Sequence, residues 1–158
     1  MSPRKIIEEI KKSFPNQPPY QWSRFDSSPW TPISKPLSKS RVALISSGGV
    51  YIRDEQEPFN AEKNDLSFRI IPKNISVSKL AISHYLKHPN AEKDINCIFP
   101  IERFRELEKE GFIGGLADPC YTFMGRIFRR TALQTEMCPQ LIEMLGSCGV
   151  DLLFLVPS

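Results

Sequence analysis

The sequence has 158 residues, of which 41% are hydrophobic and 25% charged, a composition typical of one globular domain with a sizeable core. The net charge of +3 is spread over segments of mixed sign, which argues against a nucleic-acid partner. No apolar run approaches the roughly 20 residues of a membrane span, and no apolar signal region follows the charged N-terminus. We therefore expect a cytoplasmic protein without a membrane partner.

Residues 1–40 predict an N-terminal helix followed by a Pro/aromatic-rich arm. Ile6, Ile7 and Ile10 lie on one side of residues 3–12, with charges elsewhere, which is typical of a short amphipathic helix. Residues 14–36 are too rich in proline for regular elements and too rich in aromatic residues for a free linker. We expect this arm to lie against the body of the protein or against a partner.

Residues 41–158 predict an α/β domain, beginning with a core strand. Residues 41–47 form an apolar run that ends at Gly48-Gly49, the pattern of a strand buried on both faces and closed by a tight loop. Residues 67–71 predict a short extended segment before Pro72. Residues 74–86 fit either a helix or a loop.

The second half of the chain alternates helices with apolar segments. A helix is predicted from Pro100 to Gly111, followed by a short strand or turn at residues 112–116. A second helix over residues 131–146 is either started or kinked by its proline. Residues 151–157 predict another buried strand. A helix, a glycine connection and an apolar strand make half of a βαβ unit. The predicted fold is therefore α/β with a parallel sheet, a Rossmann-like or flavodoxin-like half that is incomplete at its C-terminus.

The cysteines and the basic residues predict no catalytic or metal site of their own. The four cysteines contain no CxxC pair, and we expect buried free thiols; they are Cys97, Cys120, Cys138 and Cys148. The basic cluster of Arg126, Arg129 and Arg130 fits either a solvated helix face or a phosphate site.

The loop after the first core strand is the first candidate site. Ligands of open parallel sheets bind beyond the carboxyl ends of the strands. Ser46, Ser47, Gly48 and Gly49 offer hydroxyl and backbone N–H groups for a carboxylate or a phosphate. The string is neither GxGxxG nor a Walker loop, so a plain turn is the alternative.

Three further residues are candidates for binding or proton transfer. His84 and His88 are the titratable groups with ordinary pKa values near neutral pH; a surface position is expected for His88, whereas His84 fits a structural or a site role. Arg69 fits either a carboxylate clamp or an ion pair with Asp65. No Ser/His/Asp or Cys/His nucleophile arrangement can be assembled.

Several strings occur in the order typical of one family. They are SSGGVY (46–51), DLSFRIIP (65–72), SH (83–84), DINCIFP (94–100), RFREL (103–107), GFIG (111–114) and FMG (123–125). On these strings, residues 41–157 resemble the amino-terminal part of the selenoprotein B subunits of the glycine, sarcosine, betaine and D-proline reductases.

The resemblance implies a reactive residue and a partner that lie outside this chain. In that family the strand matching residues 151–157 is followed by selenocysteine, or by cysteine in some relatives, near a helix start, where a selenolate is stabilised. The chemistry is reductive cleavage of a C–N bond in a small amine substrate, commonly activated by a pyruvoyl group on a companion subunit. The resemblance therefore places no catalytic residue, cofactor or metal in this chain.

The codon of selenocysteine suggests why the pattern is incomplete. UGA ordinarily reads as stop, so we expect this chain to be the amino-terminal portion of such a subunit, ending just before the selenocysteine. The nucleotides after the Ser158 codon test this expectation.

The sequence thus predicts part of a reductase subunit. Residues 46–49 would line the substrate cleft, and Arg69 and His84 would be further contacts. The alternative is a non-catalytic α/β module that binds a small anion or a partner protein.

Overall fold

The computed structural model describes residues 3–13, 15–16, 26–60, 62 and 64–158, and the chain divides into two units, residues 1–32 and 33–158. In the first unit, α1 (Pro3–Ser13) confirms the predicted amphipathic helix. Its Ile6 and Ile10 side chains are exposed. The arm residues Tyr20, Trp22 and Phe25 lie outside the described residues.

The second unit alternates strands with helices, which confirms the α/β class. Its strands are β1 (Arg41–Ser46), β2 (Val50–Ile52), β3 (Phe68–Ile71), β4 (Leu80–Ile82), β5 (Gly115–Leu116), β6 (Cys120–Phe123) and β7 (Leu152–Val156). Its helices are α2 (Pro89–Lys93), α3 (Ile101–Lys109), α4 (Arg130–Ala132) and α5 (Cys138–Ser147), with a π-helical turn at Leu133–Met137 and 3₁₀ turns at Leu37–Lys39, Val77–Lys79 and Ile95–Cys97.

The central sheet is mostly parallel and is built around β1. On one edge β1 pairs in parallel with β5 and then β6, and on the other edge it pairs in parallel with β7. β3 adds to β6 in the antiparallel direction, and β2 and β4 form a separate antiparallel pair. The predicted parallel sheet is confirmed.

The two faces of β1 contact two different cores, because successive side chains of a strand point to opposite faces. Leu44 lies in the larger core with Ile101 and Phe104 of α3. Ile45 lies in the smaller core with Leu141 of α5. Helices thus cover both faces of the sheet, and the predicted helix from Pro100 is confirmed.

Pro139 explains the irregular helix before β7. Proline has no N–H, so it cannot make an α-helical hydrogen bond to the carbonyl four residues earlier. The preceding turn widens, and the Cys138 N–H bonds to the Leu133 carbonyl, five residues back. Pro139 therefore sits in the first turn of α5, where its missing N–H costs nothing.

Two predictions about strands were wrong. Residues 74–86 are neither a single helix nor a loop, because β4 pairs there with β2. β7 was expected to be a buried strand, yet Leu153, Phe154 and Leu155 are each about half exposed. β7 pairs only with β1 among the described strands, so it lies at the edge of the sheet.

Candidate functional site

The carboxyl ends of β1, β6 and β7 meet at one edge of the sheet. In-register pairing joins Ser46 at the end of β1 to Thr122 of β6 and to Val156 of β7. Three segments leave the sheet there, namely residues 47–49, 124–126 and 157–158. This edge is where open parallel sheets bind their ligands.

The backbone N–H groups of the glycine loop are used within the fold. Ser47 N–H donates to the Val156 carbonyl at 3.0 Å, and Gly49 N–H donates to the Phe123 carbonyl at 2.9 Å. Gly48 N–H donates to Ser46 Oγ at 3.0 Å. The loop therefore ties the ends of β1, β6 and β7 together.

The two serine hydroxyls of the loop also have partners. Ser46 is fully buried and donates from Oγ to the Ile98 carbonyl at 2.5 Å. Ser47 Oγ accepts the Ser158 N–H at 2.8 Å. Ser46 thus anchors the loop to the core, and Ser47 holds the segment that follows β7.

Gly49 is a glycine because the residue that follows β4 passes directly against it. Its φ is +64°, in the left-handed region, and an added Cβ would lie 2.1 Å from the Ser83 carbonyl oxygen. Ser83 N–H donates to the Gly49 carbonyl at 2.9 Å. The same Cβ would lie 3.6 Å from His84 Cβ, so the close approach places His84 beside the loop.

Arg69 is connected to the glycine loop through Phe59 and Ser83. Its guanidinium stacks over the Phe59 ring at 4.2 Å and donates from Nε to the Glu57 carbonyl at 2.9 Å. The Phe59 carbonyl in turn accepts Ser83 Oγ at 2.7 Å. Arg69 thus supports the segment that contacts Ser83.

Ser67 lies between Arg69 and Asp65. It accepts from Arg69 Nη1 at 2.8 Å and donates to Asp65 Oδ1 at 2.5 Å. Burial alone would raise the pKa of Asp65, but hydrogen bonds from Ser67 and Asn60, with the Arg69 charge, lower it. Arg69 and Asp65 are therefore linked through a hydroxyl group.

His84 is held by a neighbouring histidine and by its own backbone. Its Nδ1 accepts the Leu86 N–H at 3.2 Å and lies 3.0 Å from His88 Nε2. Burial lowers the pKa of His84, and the charge that His88 can carry lowers it further. The Tyr85 ring packs against the His84 ring with 4.7 Å between centroids.

Two buried polar side-chain atoms of the described residues have no partner, namely His84 Nε2 and Ser158 Oγ. Each belongs to a residue that lies beside the glycine loop. His84 neighbours Gly49, and Ser158 is hydrogen-bonded to Ser47. Buried polar groups are normally paired, so the unpartnered His84 Nε2 makes His84 a candidate ligand contact.

Arg126 supplies a positive charge beside the loop. It follows Gly125, where an added Cβ would lie 3.2 Å from Ser47 Oγ and from the Ser158 carbonyl oxygen. The Arg126 guanidinium lies 5.0 Å from the centroid of the Tyr85 ring. Arg126 and Tyr85 therefore connect the Ser158 side of the loop to the His84 side.

Of the predicted site residues, Ser46, Ser47, Gly48, Gly49 and His84 come together. Arg69 does not join them directly. Sequence reasoning did not consider Tyr85, and it considered Arg126 only within the basic cluster, as a solvated helix face or a phosphate site; each directly follows a string shared with the family. It also gave Ser158 no role.

His84 and His88 are among the residues that line a cavity of about 750 Å³. Basic and acidic side chains line it together, including Arg53, Lys87, Asp94 and Glu102. This mixture of charges favours neither anions nor cations.

The described residues offer neither a metal site nor an activated thiol in this region. No group of three or more His, Cys, Asp or Glu residues among them could hold a metal ion. Burial raises the pKa of Cys120 to about 12, so this thiol stays protonated at neutral pH.

No helix within the described part of the chain is long and apolar enough to cross a membrane.

Comparison with known proteins agrees with the resemblance in the sequence. Residues 6–157 match the model of the glycine/sarcosine/betaine reductase selenoprotein B family. The chain is 39% identical over 127 residues to the D-proline reductase subunit gamma of Acetoanaerobium sticklandii, covering 80% of this chain and 52% of that protein. No solved structure matches.

Two relatives belong to other reductase complexes. Identity is 31% over 128 residues to the glycine reductase complex component B subunit gamma of Symbiobacterium thermophilum, covering 77% of this chain and 30% of that protein. Identity is 30% over 105 residues to the sarcosine reductase complex component B subunit beta of Peptoclostridium acidaminophilum, covering 63% of this chain and 24% of that protein. The chain thus spans about half the length of the first relative and less than a third of the other two.

Proposed function

Because the chain belongs to the glycine/sarcosine/betaine reductase selenoprotein B family, we propose that it acts as the amino-terminal part of a cytoplasmic reductase subunit. Its substrate would be an amino acid or a methylated amine of the glycine, sarcosine, betaine or D-proline type, cleaved reductively at a C–N bond. Residues 41–158 would form the α/β domain and residues 1–40 an N-terminal helix and arm.

The observation that carries the proposal is that three strands end together at the carboxyl edge of the sheet. The ends of β1, β6 and β7 are joined there by the hydrogen bonds of residues 47–49. The two unpartnered polar atoms, His84 Nε2 and Ser158 Oγ, flank this loop. A hydrogen-bonded loop with the unpartnered His84 Nε2 beside it suits the binding of a small polar substrate.

The reactive group in this proposal follows Ser158. A selenolate or thiolate would attack the substrate carbon, so that a C–Se or C–S bond forms as the C–N bond breaks and the amine leaves; a dithiol reductant would then cleave the C–Se or C–S bond and become a disulfide. The buried Cys120 thiol cannot take this role. Because Ser47 Oγ accepts the Ser158 N–H, a residue following Ser158 would begin beside the glycine loop. The loop would then fix both the substrate and the start of the reactive segment.

The exposed edge of β7 supports a larger assembly. Leu153, Phe154 and Leu155 are about half exposed on a strand with one free edge. Such an edge is normally paired or covered. We assign it to the remainder of the subunit, and we assign the activation of the substrate to a pyruvoyl-containing companion subunit.

The gene provides the first test. An in-frame UGA after the Ser158 codon, followed by an open reading frame with a further βαβ pattern, is the expected result. UAA, UAG or a UGA followed by unrelated codons would contradict the proposal.

The second test is enzymatic. The extended protein, with cysteine at the UGA position, would be assayed with its companion subunits for reductive cleavage of glycine, sarcosine, betaine and D-proline. We expect activity with at least one of these substrates and none in a matched variant with serine at that position. Equal activity of the serine variant would exclude the proposed nucleophile.

A non-catalytic anion-binding module is the second candidate. One observation favours it: the unpartnered His84 Nε2 needs only a hydrogen-bond partner and no nucleophile. A gene that ends at Ser158, together with ligand binding by the chain alone, would support this function over the reductase.

A further inference from the structure

Residues 85–88 form a short surface segment, here called the strap, between two fixed ends. Before the strap, Ser83 donates its N–H to the Gly49 carbonyl at 2.9 Å. After the strap, α2 begins at Pro89. The strap itself contains no helix or strand, and three of its four residues are exposed. Movement of the strap therefore need not disturb either end.

Two hydrogen bonds from the strap end on one atom, His84 Nδ1. This atom accepts the Leu86 N–H at 3.2 Å and lies 3.0 Å from His88 Nε2. A backbone N–H can only donate, so His84 Nδ1 must carry a lone pair, and the proton of the second contact must belong to His88 Nε2. The neutral His84 ring then has its own proton on Nε2. Both contacts depend on the same lone pair.

A proton on His84 Nδ1 would break both hydrogen bonds at once. The lone pair would be lost, and three N–H groups would face one another. A proton on the other nitrogen of His88 has no such effect, because His88 Nε2 keeps its own proton and continues to donate. The protonation state of His84, rather than that of His88, therefore determines whether these contacts form.

The surroundings of His84 favour its neutral form. Burial lowers the pKa of His84 below its ordinary value of 6.5, and the charge that His88 can carry lowers it further. The Arg126 guanidinium, 5.0 Å from the centroid of the Tyr85 ring, is a further cation near this segment.

The charged side chains of the neighbouring cavity are of both signs and largely offset one another. They are Arg53, Lys87, Glu92, Lys93, Asp94 and Glu102. Because the pKa of His84 is lowered in the folded protein, the contacts with the strap are fully present above a pH of about 6.5. They are lost as the pH falls through the lowered pKa.

We propose that residues 85–88 are an acid-opened strap over His84, closed by the two hydrogen bonds to Nδ1 and released when that atom takes up a proton. The rings of Tyr85 and His88 each pack against the His84 ring with 4.7 Å between centroids. His84 Nε2 is buried in this closed state and has no partner among the described residues. Opening would expose it beside Gly49. Such opening requires no reductase activity, so it goes beyond the proposed function.

A pH titration of the ¹⁵N-labelled chain tests the proposal, because the sequence contains only two histidines. At about pH 8 we expect an unprotonated Nδ1 and a protonated Nε2 on His84. Below a pH of about 6.5, the ring signals of His84 and the amide signal of Leu86 should change with one midpoint. The Leu44 amide signal of β1 should not change there, which distinguishes opening of the strap from acid unfolding.

Two further measurements report the opening itself. Hydrogen exchange of the Leu86 amide, corrected for its intrinsic pH dependence, should accelerate at least about tenfold. A neutral gadolinium chelate, a soluble paramagnetic probe, should broaden the His84 ring signals more strongly at about pH 5 than at about pH 8. The Tyr121 ring, which is 1% exposed, is the control and should stay protected at both.

Three variants identify the titrating group. His84→Asn places an oxygen near the Nδ1 position that accepts hydrogen bonds without titrating, so the strap should stay closed at both pH values. His84→Phe offers no acceptor and should leave the strap open at both. His88→Gln keeps an N–H donor and removes the charge, so opening should persist with its midpoint at a higher pH.

Several results would overturn the proposal. They are a protonated Nδ1 on His84 at about pH 8, a Leu86 amide that does not follow the titration of His84, and an acid opening of His84→Asn like that of the unaltered chain. A Leu44 amide that changes at the same midpoint would show general unfolding instead. If a His84 variant does not fold, the unaltered chain and His88→Gln still give the answer.

Discussion

The strands β1 and β7 have nearly the same chemistry and occupy very different environments. RVALIS and LLFLV are both apolar runs, and they pair with each other residue by residue. Yet Leu44 of β1 is fully buried, whereas Leu155 of β7 is 54% exposed. β1 has neighbours on both edges, and β7 has β1 alone among the described strands.

This difference shows what an apolar run specifies. It selects an extended segment that packs against a core, but the position of the strand within the sheet depends on which other segments are present. An apolar strand left at an edge offers unpaired backbone groups and apolar side chains to another chain or segment. The contrast can be tested by making similar changes in both strands.

The largest expected effect is the loss of a core side chain from the central strand. Leu44→Ala should lower the free energy of unfolding by about 2–5 kcal/mol, because it leaves a cavity in the larger core. Leu155→Ala should cost about 1 kcal/mol or less, since the side chain is already half in water. Urea unfolding followed by circular dichroism measures both, and equal losses would contradict the distinction between centre and edge.

The next comparison is between substitutions of two glycines, one beside each strand. Gly49, after β1, and Gly149, before β7, both have left-handed φ values, +64° and +61°. Gly149→Ala meets no atom within 4 Å and should cost about 1 kcal/mol through backbone strain alone. Gly49→Ala also clashes with the Ser83 carbonyl and should cost about 3 kcal/mol.

The same urea unfolding experiment compares the two glycine variants. If Gly49→Ala is no more destabilising than Gly149→Ala, then the close approach of Ser83 to the loop is not rigid. His84 would then not be fixed beside Gly49.

A smaller effect is expected on the self-association of the chain in solution. The exposed edge of β7 should make the chain self-associate at high concentration, and Leu155→Lys should weaken that association about tenfold without unfolding the protein. Phe112→Lys, at a residue 58% exposed and outside the strands, is the matched control and should leave association unchanged. A monomer at all concentrations in sedimentation equilibrium would contradict the prediction.

The smallest effect concerns thiol reactivity, which should follow burial without changing stability. Cys120 in β6 is fully buried, and that burial raises its pKa to about 12, whereas Cys97 is exposed. A thiol reagent at neutral pH should therefore modify Cys97 in the native protein and reach Cys120 only after unfolding. Mass spectrometry of modified peptides measures this, and rapid native labelling of Cys120 would show that the sheet opens locally.

Part of the site could be predicted from the sequence because it depends on local patterns. The run before Gly48-Gly49 identified β1 and its loop, and the ordered strings identified the family, which the comparisons confirm. His84 was a candidate because few titratable groups were available near neutral pH. None of these inferences required knowledge of contacts between distant residues.

The remaining features depend on contacts that sequence patterns do not encode. β4 is only Leu80–Ile82, too short to show a period, and it exists because it pairs with β2. Arg69 was predicted either to clamp a carboxylate or to pair with Asp65, and the sequence did not indicate that its guanidinium stacks on Phe59, 10 positions away. The occupied N–H groups of the glycine loop likewise depend on Val156 and Phe123.

The sequence by itself determined β1, α3 and the family of this protein, because apolar periodicity, glycine positions and ordered strings are local properties. The tertiary structure decided that β7 lies at an edge beside β1 and that the segment after β7 is held by the glycine loop. These features depend on pairings across more than 100 residues, such as that of Ser47 with Ser158. Such pairings form only when the sheet brings its strand ends together.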